Sequence, residues 1–183
     1  MNFCSHCGKP VELRIPPGDH RARYVCVHCG AIHYQNPRII AGAVPEHEGR
    51  ILLCRRAIEP RLGFWTVPAG FMENGETMQQ AAARESYEEA LIHVEIGSLL
   101  SVVHVLRADQ VHVFFRARLP IASFGPTPES LEVGLFDESA IPWDDLAFPS
   151  IEYTLRRYFE DRAAGVENHY FTNVERRPPG VPR

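Results

Sequence analysis

Three glutamates crowd the stretch RESYEEA: Glu85, Glu88 and Glu89. On a helix turning 100° per residue, Glu88 and Glu89 stand about −60° and +40° from Glu85, so all three carboxylates share an arc of roughly 100°. Side chains at these spacings lie about 5–6 Å apart, and each like-charged pair costs a few tenths of a kcal/mol. A solvated acidic face is the ordinary reading of such a cluster. This one follows a Gly-containing loop and a further glutamate, Glu76, eight residues before Arg84, and Arg84 itself precedes Glu88 by one helical turn. Hard oxygen ligands grouped without His or Cys suit Mg²⁺ or Mn²⁺, which keep several waters and hold phosphates at the same time.

A second cluster is built from sulfur. CSHC and CVHC place Cys4, Cys7, Cys26 and Cys29 in a C-x2-C, x18, C-x2-C array. That spacing matches a zinc ribbon, whose two tight knuckles supply four thiolates at about 2.3 Å from Zn²⁺. Two disulfides are the competing pairing, and a reducing compartment disfavours them. His6, His28 and His33 could also ligate, but four thiolates already fill a tetrahedron, so the histidines read as solvated loop residues. A segment this short cannot bury enough apolar surface to fold alone, and a closed four-sulfur site makes its zinc structural. Cys54, in ILLC, reads as a small buried hydrophobe.

The elements that must position these groups are legible from period and punctuation. Residues 39–44, IIAGAV, and 51–56, ILLCRR, are strand-like, joined by PEHEGR as a hairpin loop. A second pair spans 98–106 and 111–119, and a further strand 131–136. One helix is expected over 77–91: Thr77 and Gln80 form a capping box, and Ala81, Ala82 and Ala83 supply high helix propensity. Another is expected over 150–164, stopped by Gly165. Strands interleaved with two helices predict an α/β sandwich with a mixed sheet. The domain reading is a ribbon over 1–35, a main domain over 36–165, and a flexible tail over 166–183 that ends in RRPPGVPR.

Bulk composition narrows the partners. With 183 residues, 45% hydrophobic and 23% charged, the chain can bury a core. A net charge of −4 argues against nucleic acid held by bulk electrostatics. No apolar run approaches the ~18 residues of a membrane span, and MNFCSHCGKP lacks a basic region followed by a hydrophobic one. The expectation is a cytoplasmic protein with no membrane partner.

Gly70, Glu76, Arg84-Glu85 and Glu88-Glu89, at these intervals, resemble the Nudix box, the signature of hydrolases that cleave a nucleoside diphosphate linked to another group. Two positions depart from the pattern. Ser86 replaces a usually apolar residue, and Leu91 replaces the usual second glycine, with Ile92 in the apolar place after it. The resemblance covers about 38–160 and implies a Nudix α/β/α sandwich. With the ribbon ahead of it, the chain is similar to plant-type FAD pyrophosphatases and more distantly to NADH pyrophosphatases, whose longer Gln-, Pro- and Trp-containing motif is here reduced to FPS, Phe148–Ser150.

What the resemblance implies is a Mg²⁺- or Mn²⁺-dependent pyrophosphatase. Glu85, Glu88 and Glu89 would be the ligands, with the Gly70 carbonyl adding another. Such ions polarise phosphoryl oxygens and lower the pKa of a bound water. Arg84 and Glu76 would form a supporting ion pair, with direct phosphate contact by Arg84 as the alternative. Glu132 is the first choice for general base and Glu129 the second, while Glu73 reads as solvated. Phe148, Trp65 and Tyr34 are candidate stacking platforms, and Arg38 and Arg55 candidate phosphate contacts. A dinucleotide such as FAD is the expected substrate, with ADP-ribose, NADH, a nucleotide sugar or a dinucleotide cap on RNA as alternatives, and a homodimer is common among similar proteins. The different-class alternative is a non-catalytic module that senses or binds a nucleotide.

Overall fold

The structure, a computed structural model, describes residues 1–174. It separates into two compact units, Met1–Pro37 and the chain from Arg38 onward. In the first, β1 (Val11–Arg14), β2 (Arg23–Cys26) and β3 (Ile32–His33) form an antiparallel sheet in the order β1-β2-β3. Asp19 fixes the β1–β2 connection. Its carboxylate accepts the Arg23 guanidinium at 2.9 Å and the backbone N–H groups of His20 and Arg21, which together hold it down to about pKa 2. Cys4, Pro16, Val25 and Cys26 are the buried residues here, while Phe3, Leu13, Ile15 and Val27 are exposed. An apolar core this small ordinarily needs a disulfide or a metal beside it to hold a fold.

The second unit holds a mixed sheet of β4 (Arg38–His47), β5 (Arg50–Arg56), β6 (Trp65–Thr66), β7 (Ala69–Phe71), β8 (Glu95–Val105), β9 (Gln110–Arg118), β10 (Ser130–Phe136) and β11 (Tyr170–Asn173). The order is β10-β5-β4-β9-β8-β11, with β6 on β5 and β7 on β4. Period-2 alternation sorts β4 and β9 between two faces. Ala41, Ala43, Val113, Phe115 and Ala117 pack on Ala81 and Ala82 of α1 (Met78–Ala90). Val44 and Phe114 pack on Ile151, Leu155 and Phe159 of α2 (Pro149–Ala164). The expected sandwich with a mixed sheet is therefore the fold.

Three local expectations need correction. PEHEGR is mostly strand: β4 runs through Pro45 to His47, and the turn is confined to Glu48 and Gly49, both at positive φ. The Gly-containing loop ahead of the helix supplies two short strands, β6 and β7. The tail does not begin at 166, because Tyr170–Asn173 pairs parallel with Ser101–His104. The sequence RRPPGVPR lies outside the described residues.

The sheet is split where the site forms. β4 meets β5 only at Glu46 and His47, and over Ile40–Gly42 it pairs with β7 instead. Gly42 permits this: a Cβ there would come within 2.5 Å of the Ala69 side chain and 2.7 Å of the Pro68 carbonyl. A side chain at 42 would push β7 off the sheet.

Candidate active site

α1 is held at its start by the expected capping box, with Thr77 accepting the Gln80 N–H at 3.2 Å and the Gln80 side chain accepting the Thr77 N–H at 2.8 Å. This fixes which face carries the carboxylates. Glu85 and Glu89 are buried, 8% and 5% exposed, while Glu88 reaches outward. The two departures from the box are accommodated locally. Ser86 is fully buried and satisfies its hydroxyl on the Ala82 carbonyl at 2.7 Å. Leu91 adopts the left-handed conformation, φ 59°, that the usual glycine would take.

Arg84 neutralises the cluster. Its guanidinium donates to Glu76 through Nε and Nη2 at 3.1 and 2.7 Å, to Glu85 at 2.7 Å, to Glu88 at 2.8 Å and to the Phe71 carbonyl at 3.0 Å. With all these partners it braces the loop against α1, and its contacts with Glu76 hold that carboxyl below the usual carboxylate range. Glu89 accepts the Ala69 N–H at 3.1 Å, and burial nonetheless pushes its carboxyl up to about pKa 8. Burial also raises Glu85. The Glu85 carboxylate lies against Gly70, where a Cβ would stand 2.3 Å from its oxygen. Gly70 is thus required by the acid that packs over it.

These groups open on a cavity of about 430 Å³. Gly70, Arg84, Glu85, Glu88 and Glu89 line one part. Arg56 and Glu129 approach from the far side of the split, and Ile40, Phe71, Phe114 and Phe148 form an apolar wall that also carries Gln110 and His112. The volume falls in the usual range of small-ligand sites. Glu73 stands at the same cavity.

Other expected site residues fall outside it. A register shift between Ser130 and Glu132 turns Glu132 toward Arg55, 3.6 Å away, and of the two candidate bases it is Glu129 that lines the cavity. Trp65 packs edge-on against Phe136, with ring centroids 4.9 Å apart, as part of the core. Arg38 lies over the outer ring of Phe71 at 4.8 Å rather than in the cavity lining. Tyr34 belongs to the first unit, where Arg23 covers its ring at 5.1 Å. Arg56, Gln110 and His112 were missed. Arg56 donates to the Pro60 carbonyl at 2.8 Å and stands over Phe148 at 5.3 Å. Its place beside Arg55 gave a weak signal, since neighbours on a strand face opposite ways.

Both metal readings pass a chemical test. In the first unit, Sγ–Sγ separations of 3.7, 3.5 and 3.6 Å link Cys4–Cys29, Cys7–Cys26 and Cys7–Cys29. A tetrahedron with 2.3 Å bonds has edges of roughly 3.8 Å. All four cysteines are free, so the pairing is not disulfide. The backbone N–H groups of Cys29 and His28 point at Cys26 and bring its thiol down to about pKa 6. His33 is not a bystander, since its Nε2 lies 3.3 Å from Cys4 Sγ. In the second unit, the donors are carboxylates spaced along the helix, not a closed cage. Among the described residues, the four cysteines alone bring a full ligand set within 4.8 Å. Buried carboxylates spread beside a cavity, with an unused Glu89 oxygen, suit cations that retain water and share ligands with a phosphate.

One cavity on a split mixed sheet is thus lined by the carboxylates of α1, by Gly70 against which Glu85 packs, by Arg56 and by an apolar wall. Residues 36–160 match the NUDIX domain, and residues 2–35 match the zinc ribbon described as Nudix N-terminal. The chain belongs to the Nudix family. A Nudix hydrolase from Nitrosomonas europaea is 50% identical in sequence, with TM-score 0.93 over 96% of this chain and 100% of that one. An NAD-capped RNA hydrolase NudC from Chromobacterium violaceum is 31% identical over 168 residues, 90% of this chain and 60% of its own length. NudC from Edwardsiella ictaluri is 39% identical over 95 residues, 51% and 34% respectively. The chain therefore spans 34–60% of the length of these curated relatives. An ADP-ribose pyrophosphatase from Streptococcus suis, 22% identical with TM-score 0.60, shares the fold. The likeness to FAD pyrophosphatases finds no support in these names. No helix among the described residues is long and apolar enough to cross a membrane.

Proposed function

We propose that this protein is a divalent-metal-dependent pyrophosphatase that hydrolyses the diphosphate of a dinucleotide to two monophosphates. The observation that carries the reading is the opening of Glu85, Glu88 and Glu89 onto one cavity that also holds an arginine, a further glutamate and an aromatic wall. NAD-type dinucleotides, free or at the end of an RNA, are favoured over FAD by the names of the relatives. Four reduced cysteines suit a cytoplasmic setting.

Bound at these carboxylates, Mg²⁺ or Mn²⁺ would supply charge neutralisation and an activated water. The chain's own residues do the rest. Glu85, Glu88 and Glu89 hold the ions, and Arg84 keeps the three side chains aligned. Arg56 is free to donate from its terminal nitrogens to a phosphoryl oxygen, in the bidentate manner guanidinium allows. Glu129, which lines the same cavity, takes the proton from the attacking water in this reading. Phe148, Phe71 and Ile40 exclude solvent and give a ring a flat surface.

The experiment is a panel. Purified protein with Mg²⁺ is offered NADH, FAD, ADP-ribose, a diadenosine polyphosphate and NAD-capped RNA, with product nucleotides resolved by chromatography. Release of two monophosphates from a dinucleotide, abolished without divalent metal, is expected. Failure to cleave any of them with either Mg²⁺ or Mn²⁺ would remove the enzymatic reading.

A further inference from the structure

A chain of buried polar side chains runs from the cavity into the packed interface between α2 and the sheet. Gln110 Oε1 lies 3.0 Å from His112 Nε2, and His112 Nδ1 lies 2.9 Å from Ser150 Oγ. Thr154 donates to the Ser150 carbonyl at 2.7 Å and meets Ser101 Oγ at 2.8 Å. His112 is 6% exposed, and Ser150, Thr154 and Ser101 are at most 1%. Buried polar groups cost free energy unless they are satisfied, and His112, Ser150, Thr154 and Ser101 all are.

The chemistry of the partners fixes the orientation. An amide oxygen only accepts, so His112 Nε2 carries the proton and Nδ1 accepts from the Ser150 hydroxyl. Burial lowers His112 to about pKa 4, so the ring stays neutral and holds that tautomer near neutral pH. Gln110 is thereby gripped by its oxygen. Its NH₂ makes no hydrogen bond to the protein among the described residues, and the residue lines the cavity. Two donors are thus held ready at the wall by a network that the cleavage of a diphosphate does not need.

Strand register sets the scale. On β4, Arg38 faces Gln110, Ile40 faces both His112 and Phe71, Ala41 faces Gly70, and Gly42 faces Ala69. At about 3.3 Å per residue, Gln110 stands roughly 10–13 Å along the strands from the level of Gly70 and Ala69, where Glu85 and Glu89 are held. That is the order of separation a ribose imposes between its 5′-phosphate and the outer edge of its ring. Ile40, Phe71 and Phe148 fill the interval with apolar surface.

We propose that Gln110 is a specificity-determining residue of this cavity, donating from its amide to a carbonyl oxygen on the ring of the bound dinucleotide, with His112 and Ser150 as positioning residues. The ligand class is a dinucleotide whose second ring bears a carboxamide or ring carbonyl, as NADH and FAD do and ADP-ribose does not. This rests on the pyrophosphatase reading. Its own test is steady-state kinetics on the full chain with Mg²⁺. Gln110→Ala raises KM about tenfold for the preferred of NADH and FAD, the cost of roughly one hydrogen bond left unmade, while kcat moves much less and ADP-ribose keeps its KM. His112→Leu shifts KM in the same selective way, and the double variant is no worse than Gln110→Ala alone. Gln110 is partly exposed, so its variant carries the test even where His112→Leu folds poorly.

A KM within twofold of wild type for NADH and FAD in Gln110→Ala overturns the proposal. So does an equal KM rise for ADP-ribose, which would mean that adenine is read instead, and fully multiplicative single effects remove His112 from its positioning role. Wild-type protein that cleaves none of the three would instead mark failure of the underlying reading.

Discussion

Burial and charge pull against each other at Glu89. With a carboxyl raised to about pKa 8 from a usual value near 4.5, the folded protein holds the proton more tightly than the unfolded chain does. That contribution to stability is complete below pH 4.5 and is lost as pH climbs through 8. Without added divalent metal, the melting temperature should therefore fall between pH 5 and 8. Glu89→Gln should lack that decline, melt higher than wild type at pH 8, and lose at least a hundredfold in turnover with Mg²⁺. Equal pH profiles for the two proteins would contradict the burial argument. His112 works in the opposite direction. Its pKa, lowered to about 4 by burial, means its contribution is complete above about 6.5 and is lost as pH falls toward 4, by up to a few kcal/mol. Urea titrations at pH 7 and 4.5 should show a smaller acid loss in His112→Leu than in wild type. The glutamates were readable because their spacing is local to one helix. Arg56, Gln110 and His112 were not, because a cavity on a sheet gathers side chains from strands whose adjacency no single sequence displays.

Elements joined by local rules were readable, and those joined by tertiary contact were not. Thr77, Gln80 and the alanine run announced α1 to within a residue or two, and β-type apolar runs between turn residues found every long strand. β11 has only four residues, and its anchor is polar: Asp161 accepts from Arg116, the Asn168 N–H and side chain at 2.9 Å each, and the Tyr170 hydroxyl at 2.5 Å. No hydrophobic period betrays such a clasp. Asp161 is 2% exposed, so Asp161→Ala would leave the Arg116 cation with carbonyl and hydroxyl partners but no carboxylate, and should cost about 3 kcal/mol, read as a lower denaturation midpoint. At the other end of the scale, Leu91 caps α1 in a conformation that costs a branched residue about 1–2 kcal/mol. Leu91 is about half exposed, so Leu91→Gly should relieve that strain and, after its greater unfolded-state entropy is deducted, still raise the melting temperature by a few degrees.

At the scale of the whole chain, the two units draw on different sources of stability. The second buries three apolar clusters around its sheet, whereas the first has Cys4, Pro16, Val25 and Cys26 as its buried apolar residues. Its four Sγ atoms, within 4.8 Å of one another, would repel as thiolates without a cation between them. A zinc ion held there would provide what burial cannot, and the spacing of two C-x2-C knuckles already pointed to it in the sequence. Elemental measurement should find about one zinc per chain. Cys26→Ser removes the ligand that accepts N–H from both His28 and Cys29, so it should lose the zinc and leave the amides of residues 11–33 unprotected in hydrogen exchange. Protection across β4, β9 and α1, which rests on packed side chains, should persist in the same sample. Wild-type zinc content in Cys26→Ser would show that the ligand set is wrong. Loss of zinc with protection intact over 11–33 would show that so small a core holds without it.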